Sequence, residues 1–251
     1  MKISVAQVRP VKGDIKTNIE NHKKLISLAV ARGAGMIFFP ELSITGYEPE
    51  LAGSLAIHQD DPRFDDFQVL SDTKHISIGV GAPTCSNGGI CISMIIFQPG
   101  KPRQTYSKQY LHSSEEGYFI SGHDGPGFID SKPGIAIAIC YELSVPEHVE
   151  SASRHGAKIY IASAVESINS VEKSRQRLAT IAQQYNMTVL FANCIGLTGV
   201  YDCPGRSSTW NNKGELLGQL DDRREGILLL DTETQEVITE QPDLSMEKIL
   251  Q

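Results

Sequence analysis

The stretch Gly134-Ile-Ala-Ile-Ala-Ile-Cys140-Tyr-Glu142 constrains this chain more than any other. β-Branched residues alternate with small ones and no polar face interrupts them, so the run reads as a strand buried on both sides. It ends abruptly in a thiol followed by polar groups. In open α/β sheets ligands bind beyond the carboxyl ends of the strands, which is where Cys140 is delivered. Two further apolar runs end in a charge at a comparable place. Met36-Ile-Phe-Phe-Pro-Glu41 ends in a carboxylate and Gln104-Thr-Tyr-Ser-Lys108 in an ammonium. A nucleophile, a base and a cation, each at a strand end, are the parts of one hydrolytic site.

Around these runs strands and helices alternate, with no linker, low-complexity tract or internal repeat, so one domain spanning residues 1–251 is expected. Strands are predicted over 2–7, 35–39, 75–80, 90–97, 104–108, 134–139, 158–162, 189–192, 207–210 and 227–230. Asp14 is placed to cap a helix in which Ile15, Ile19, His22, Ile26 and Ala29 follow at helical spacing until Gly33 stops it. Further helices are predicted over 62–72, 146–155 and 170–185, two of them opened by Pro62 and Pro146. Asn87-Gly-Gly89, Pro99-Gly100, Asn212-Lys-Gly214 and Gly81-Ala-Pro83 read as turns. So many strands need more than one sheet, and a layered α/β sandwich accommodates them with helices outside.

The net charge of -7 opposes nucleic-acid binding, and no basic block interleaves with aromatics. No apolar run approaches the roughly 20 residues of a membrane span, and the start of the chain lacks a leader pattern, so a cytoplasmic protein is expected. The five cysteines (Cys85, Cys91, Cys140, Cys194 and Cys203) are odd in number and include no Cys-x-x-Cys. They read as free thiols rather than a disulfide framework or a structural zinc site. His148 and His155 are too far apart for a helix-face metal pair and read as a solvated face, so no metal is expected. No glycine loop of phosphate-binding pattern precedes a helix, so no nucleotide or other cofactor is expected.

Taken together, the motifs resemble the nitrilase superfamily of carbon-nitrogen hydrolases. Phe39-Pro-Glu41-Leu-Ser-Ile-Thr-Gly46-Tyr47 is similar to its glutamate motif. Tyr106-Ser-Lys108-Gln-Tyr-Leu111, with Glu115, Phe119 and Gly122, is similar to its lysine motif, and Ile139-Cys140-Tyr141-Glu142 with Pro146-Glu147 to its cysteine motif. Ala192-Asn193, Gly196 and Gly205-Arg-Ser207 match later landmarks. The resemblance departs at Ile181-Ala-Gln-Gln-Tyr185, where many members carry Arg-Ala-x-Glu-Asn.

The resemblance implies a four-layer α-β-β-α sandwich, a homodimer or larger assembly, and a Glu-Lys-Cys triad. Cys140 would attack the substrate carbon, Glu41 would be the general base, and Lys108 with the Tyr141 backbone N–H would hold the oxyanion. In the family a second glutamate lies seven residues after the lysine and seven before a glycine; Glu115 fits both spacings, to Lys108 and to Gly122, whereas Glu116 does not, so the resemblance implies that Glu115 holds Lys108 and orients the substrate. Tyr47, Tyr141 and Glu142 are expected to contact substrate. The implied activity is cofactor-independent hydrolysis of a small linear amide with release of ammonia. A nitrilase or N-carbamoyl amide hydrolase is an alternative, and a catalytically silent scaffold on the same fold is a reading from another class. Specificity is expected from loops at 47–61, 111–125 and 165–171, and a carboxylate-bearing substrate would call for a cation such as Arg175, Arg177 or Arg206.

Overall fold

A computed structural model describes residues 1–58, 60–123, 127–129 and 134–242. In chain order the elements are β1 (Lys2–Gln7), α1 (Ile15–Ala31), β2 (Met36–Phe38), α2 (Ala52–Leu55), α3 (Asp65–Lys74), β3 (Ser77–Ser86), β4 (Gly89–Phe97) and β5 (Gln104–Ser107). They continue with β6 (Gly127–Ile129), β7 (Gly134–Ile139), α4 (Pro146–Arg154), β8 (Ala157–Ala164), α5 (Val171–Tyr185), β9 (Thr188–Asn193), β10 (Ile195–Thr198) and β11 (Tyr201–Pro204). The last are β12 (Ser208–Trp210), β13 (Leu216–Gln219), β14 (Gly226–Asp231) and β15 (Val237–Glu240).

Side-chain alternation in the strands makes the layers. In β7, Ile135, Ile137 and Ile139 point into one buried cluster and Ala136 and Ala138 into another. The isoleucines fill the space between a six-stranded sheet, ordered β13-β12-β9-β8-β7-β6, and a seven-stranded sheet, ordered β15-β14-β1-β2-β3-β4-β5. The alanines face α4 and α5, where small side chains let the helices approach. Ile137 is fully buried, and such burial stabilises by roughly 1.5–3 kcal/mol per side chain. The seven-stranded sheet repeats the pattern: Ile3, Val5 and Phe38 face the other sheet, while Ala6, Ile37 and Ile78 face α1 and α3. The result is a four-layer α-β-β-α sandwich.

Helix α1 begins where Asp14 accepts the Thr17 N–H at 3.0 Å, and it buries Ile15, Ile19, His22, Leu25, Ile26 and Ala29 along one face. The pairs β1·β2 and β2·β3 are parallel in one sheet and β7·β8 and β8·β9 in the other, and a parallel bridge between Val8 and Cys194 joins the ends of β1 and β9, so the carboxyl ends of β2, β7, β8 and β9 lie on the same side. Among the described residues no helix is long and apolar enough to cross a membrane.

One expectation is corrected here. Gly81-Ala-Pro83 is not a turn but the middle of β3, paired with Met94, Ser93 and Ile92 of β4. The Pro83 carbonyl accepts the Ile57 N–H at 3.0 Å, so the ring nitrogen also faces away from β4 and no ladder bond is lost. The hairpin β10–β11 was not anticipated, because Gly196, Gly199 and exposed Leu197 and Val200 give no alternating pattern.

Candidate active site

Three strand ends converge on one point. Beyond β2 the chain turns sharply through Glu41 and Leu42, the latter at φ 49°, and packs against Gly81 of β3. The Ile44 N–H donates to the Gly81 carbonyl at 3.0 Å. A Cβ on Gly81 would lie 2.3 Å from the Pro40 oxygen and 2.5 Å from the Leu42 nitrogen, so only glycine lets the Glu41 loop seat here. Lys108 directly follows β5 and is held from both sides, its N–H on the Ile92 carbonyl and its own carbonyl on the Gly122 N–H, each at 2.8 Å. Cys140 directly follows β7 and opens a short 3₁₀ turn, Cys140–Ser144, at φ 45°. A positive φ is costly for a cysteine and holds the thiol on a sharp elbow. Tyr141 is next in that turn, where the N–H groups lack intrahelical partners.

The Lys108 ammonium is completely buried between two carboxylates, 2.8 Å from Glu41 Oε1 and 2.8 Å from Glu115 Oε1. Glu115 is in turn fixed by the Tyr47 hydroxyl at 3.0 Å and the His112 N–H at 2.8 Å, whereas Glu116 is exposed. Glu41 Oε2 is buried without a partner of its own, and the nearby Cys140 thiol acts to lower the Glu41 carboxyl. Burial pushes Glu41 up to about 7, against the pull of Lys108. Burial also acts to lower Lys108, but the negative groups around it, Glu41 first, outweigh this and hold it above the ordinary lysine value. The thiol of Cys140 is raised well above its usual range, by burial and then by the Glu41 charge. The resting site is therefore a protonated thiol beside a carboxylate raised to about 7 and a charged ammonium.

The sequence pattern of the carbon-nitrogen hydrolases matches residues 2–239. The chain belongs to the carbon-nitrogen hydrolase family. A protein of Schizosaccharomyces pombe named as a probable nitrilase is 24% identical over 246 residues, covering 91% of this chain and 88% of that protein. A Staphylococcus aureus protein named the hydrolase in agr operon is likewise 24% identical, over 94% of this chain and 93% of that one. Among solved structures, an amidase from Nesterenkonia sp. superposes with a TM-score of 0.82 at 21% identity, covering 100% of this chain and 96% of that one.

In this hydrolase Glu142 and His148 sit elsewhere than expected. Glu142 does not reach substrate space: it is fully buried and both of its oxygens are occupied by protein donors. His148 is not on a solvated face; it is 1% exposed and bonded at both ring nitrogens. Their partners come from other elements, which helical spacing alone does not reveal. Tyr47 joins the site through Glu115, and its ring meets the edge of Tyr201 at 5.3 Å. The Tyr141 side chain is 39% exposed and packs on His112.

Sequence reasoning missed several members of this surround. Asn193 accepts the Glu166 N–H at 2.8 Å and donates to the Glu166 and Gly205 carbonyls, pinning the loop after β8. The Val165 carbonyl of that loop lies 4.0 Å from the Cys140 sulfur, and the Glu166 charge helps to raise the thiol. The Ala-Asn landmark was the available signal, without the partner it clamps. Arg175 and Arg206 both bind Glu172, and Arg177 donates to Ser144. The departure at Ile181–Tyr185 puts Ile181 and Ala182 in the helix-facing core and Gln183 and Gln184 at the surface. A cavity of about 330 Å³ is lined by Tyr47, Glu48, Ser114, Tyr118 and Tyr201. No cluster able to hold a metal ion occurs among the described residues.

Proposed function

We propose that this carbon-nitrogen hydrolase cleaves the amide bond of a small linear amide through a thioester on Cys140 and releases ammonia. The observation that carries the reading is the Lys108 ammonium held between Glu41 and Glu115 beside the Cys140 thiol on its strained elbow. As the sulfur attacks the carbonyl carbon, Glu41 takes the thiol proton, a transfer its raised basicity suits near neutral pH. The oxyanion forms against the Lys108 ammonium, which its two carboxylates hold in position, and against the Tyr141 N–H. Glu41 passes the proton to the departing nitrogen, the C–N bond breaks, and ammonia leaves. Water then gives a proton to Glu41 and attacks the thioester; the carbon–sulfur bond breaks and the sulfur recovers the proton as the acid departs.

Structures of the Nesterenkonia amidase in complex with butyramide and with the acetamide moiety of fluoroacetamide on its active-site cysteine support an amide as substrate. The engagement of Arg175, Arg177 and Arg206 elsewhere, and the Glu166 carboxylate near the thiol, favour an acyl group without a carboxylate. Ammonia release across small amides, ω-amides, N-carbamoyl compounds and nitriles tests the reading, with Cys140→Ala alongside. Release from a neutral amide that disappears in the variant is expected. No release from any compound, with no preferential alkylation of Cys140 over the other thiols, would leave only a silent scaffold.

A further inference from the structure

Glu142 is fully buried and takes no part in the mechanism above, yet its carboxylate is saturated with donors. Oε1 accepts the Gln109 N–H at 2.7 Å and Oε2 the Ile139 N–H at 2.7 Å. The Tyr106 hydroxyl donates to both oxygens, at 2.7 and 2.8 Å. Gln109 is the residue after Lys108, and Ile139 is the residue before Cys140. Tyr106 lies in β5 of the seven-stranded sheet and Ile139 in β7 of the six-stranded sheet. One carboxylate thus ties together the backbone flanking the cation and the backbone flanking the nucleophile, across the two sheets.

A second tier of bonds orients this tie. His148 Nε2 is 3.0 Å from the Tyr106 oxygen, and Nδ1 is 2.9 Å from the Tyr160 hydroxyl. Burial pushes the imidazole pKa down, so the ring is neutral and carries one N–H. A single arrangement then satisfies every group. Tyr160 donates to Nδ1, Nε2–H donates to the Tyr106 oxygen, and Tyr106 donates to Glu142. Tyr106, Glu142, His148 and Tyr160 are all buried, on β5, the elbow, α4 and β8.

We propose that Glu142 is a positioning residue: a buried brace that sets the separation of Lys108 and Cys140 from behind the site. Glutamine has the same size but replaces one acceptor oxygen with an NH₂ donor, which must face a backbone N–H or the Tyr106 hydroxyl. The elbow or the lysine segment then shifts, and a displacement of about 1 Å in a reacting geometry can cost on the order of 100-fold in rate. The kinetic consequence rests on the hydrolase reading above; the bracing itself does not.

The test is Glu142→Gln, Glu142→Asp and Tyr106→Phe, read by iodoacetamide alkylation of Cys140 against pH, by kcat and KM for ammonia release, and by urea unfolding. Glu142→Gln should slow Cys140 alkylation by about tenfold or more and lower kcat about 100-fold, with KM within about threefold. Glu142→Asp should restore part of both, and Tyr106→Phe, which spares the two backbone bonds, should cost several-fold. Reduced stability with wild-type alkylation and kcat per folded site would overturn the proposal. If Glu142→Gln yields no folded protein, Tyr106→Phe decides, and unchanged alkylation and kcat there would overturn it equally. Slowed alkylation in Glu142→Gln with no amide hydrolysis by the wild type would support the brace while rejecting the hydrolase reading.

Discussion

Replacing Lys108 by methionine isolates the electrostatics of the site, because the new side chain keeps most of the volume and loses only the charge and its donors. Each N–O contact is 2.8 Å. At an effective dielectric constant of 20, that separation corresponds to about 6 kcal/mol per pair before desolvation. Removing one partner of a buried ion pair leaves a net destabilisation of about 3–5 kcal/mol. Loss of one oxyanion donor costs a further factor of about 100–1,000 in kcat. The stability deficit should also depend on pH with a definite sign. The folded-state pKa of Glu41 is already raised, to about 7 from 4.5, so its contribution to stability is present at low pH and lost as pH rises through the folded value. Without Lys108 the folded value rises further, and the variant keeps losing stability where the wild type has stopped. The deficit should widen by about 1.4 kcal/mol per pH unit above 7, or about 2 kcal/mol between pH 7 and 8.5. Urea unfolding of both proteins at pH 6, 7 and 8.5, with ammonia release at the same pH values, makes the comparison. A deficit that is constant or shrinks as pH rises would refute the electrostatic account, and a kcat within tenfold of wild type would refute the oxyanion role.

Two other predictions follow from the same geometry. Gly81→Ala places its Cβ against backbone atoms of Pro40 and Leu42 that cannot rotate away, so the Glu41 loop must move; activity should fall more than about tenfold and stability by about 1–3 kcal/mol, measured by kcat and urea midpoint. With Glu41 at about 7 and the thiol raised well above its usual range, log kcat/KM should climb with unit slope up to pH 7 and then level; a flat profile between pH 5 and 7 would rule out Glu41 as the base.

Much of this hydrolase was legible in the sequence, because its decisive features are local. The Ile-Ala alternation of 134–139 and the charges ending the runs at Glu41 and Lys108 place three groups at strand ends without any knowledge of packing. The family resemblance separated Glu115 from Glu116, and the fold sets the first against Lys108 and the second in solvent. Other features depend on neighbours that no local pattern contains. Glu142 and His148 look like ordinary polar residues of a turn and a helix. They are buried because Tyr106 and Tyr160, 36 and 12 residues away in sequence, supply hydrogen bonds that offset the cost of desolvation. Gly81 resembles a turn residue until the Glu41 loop is seated on it. The chain alone determines which groups reach the ends of the strands. The stacking of two sheets determines which of them share a dry, bonded site, because burial and hydrogen-bond partnership are properties of the contact between elements.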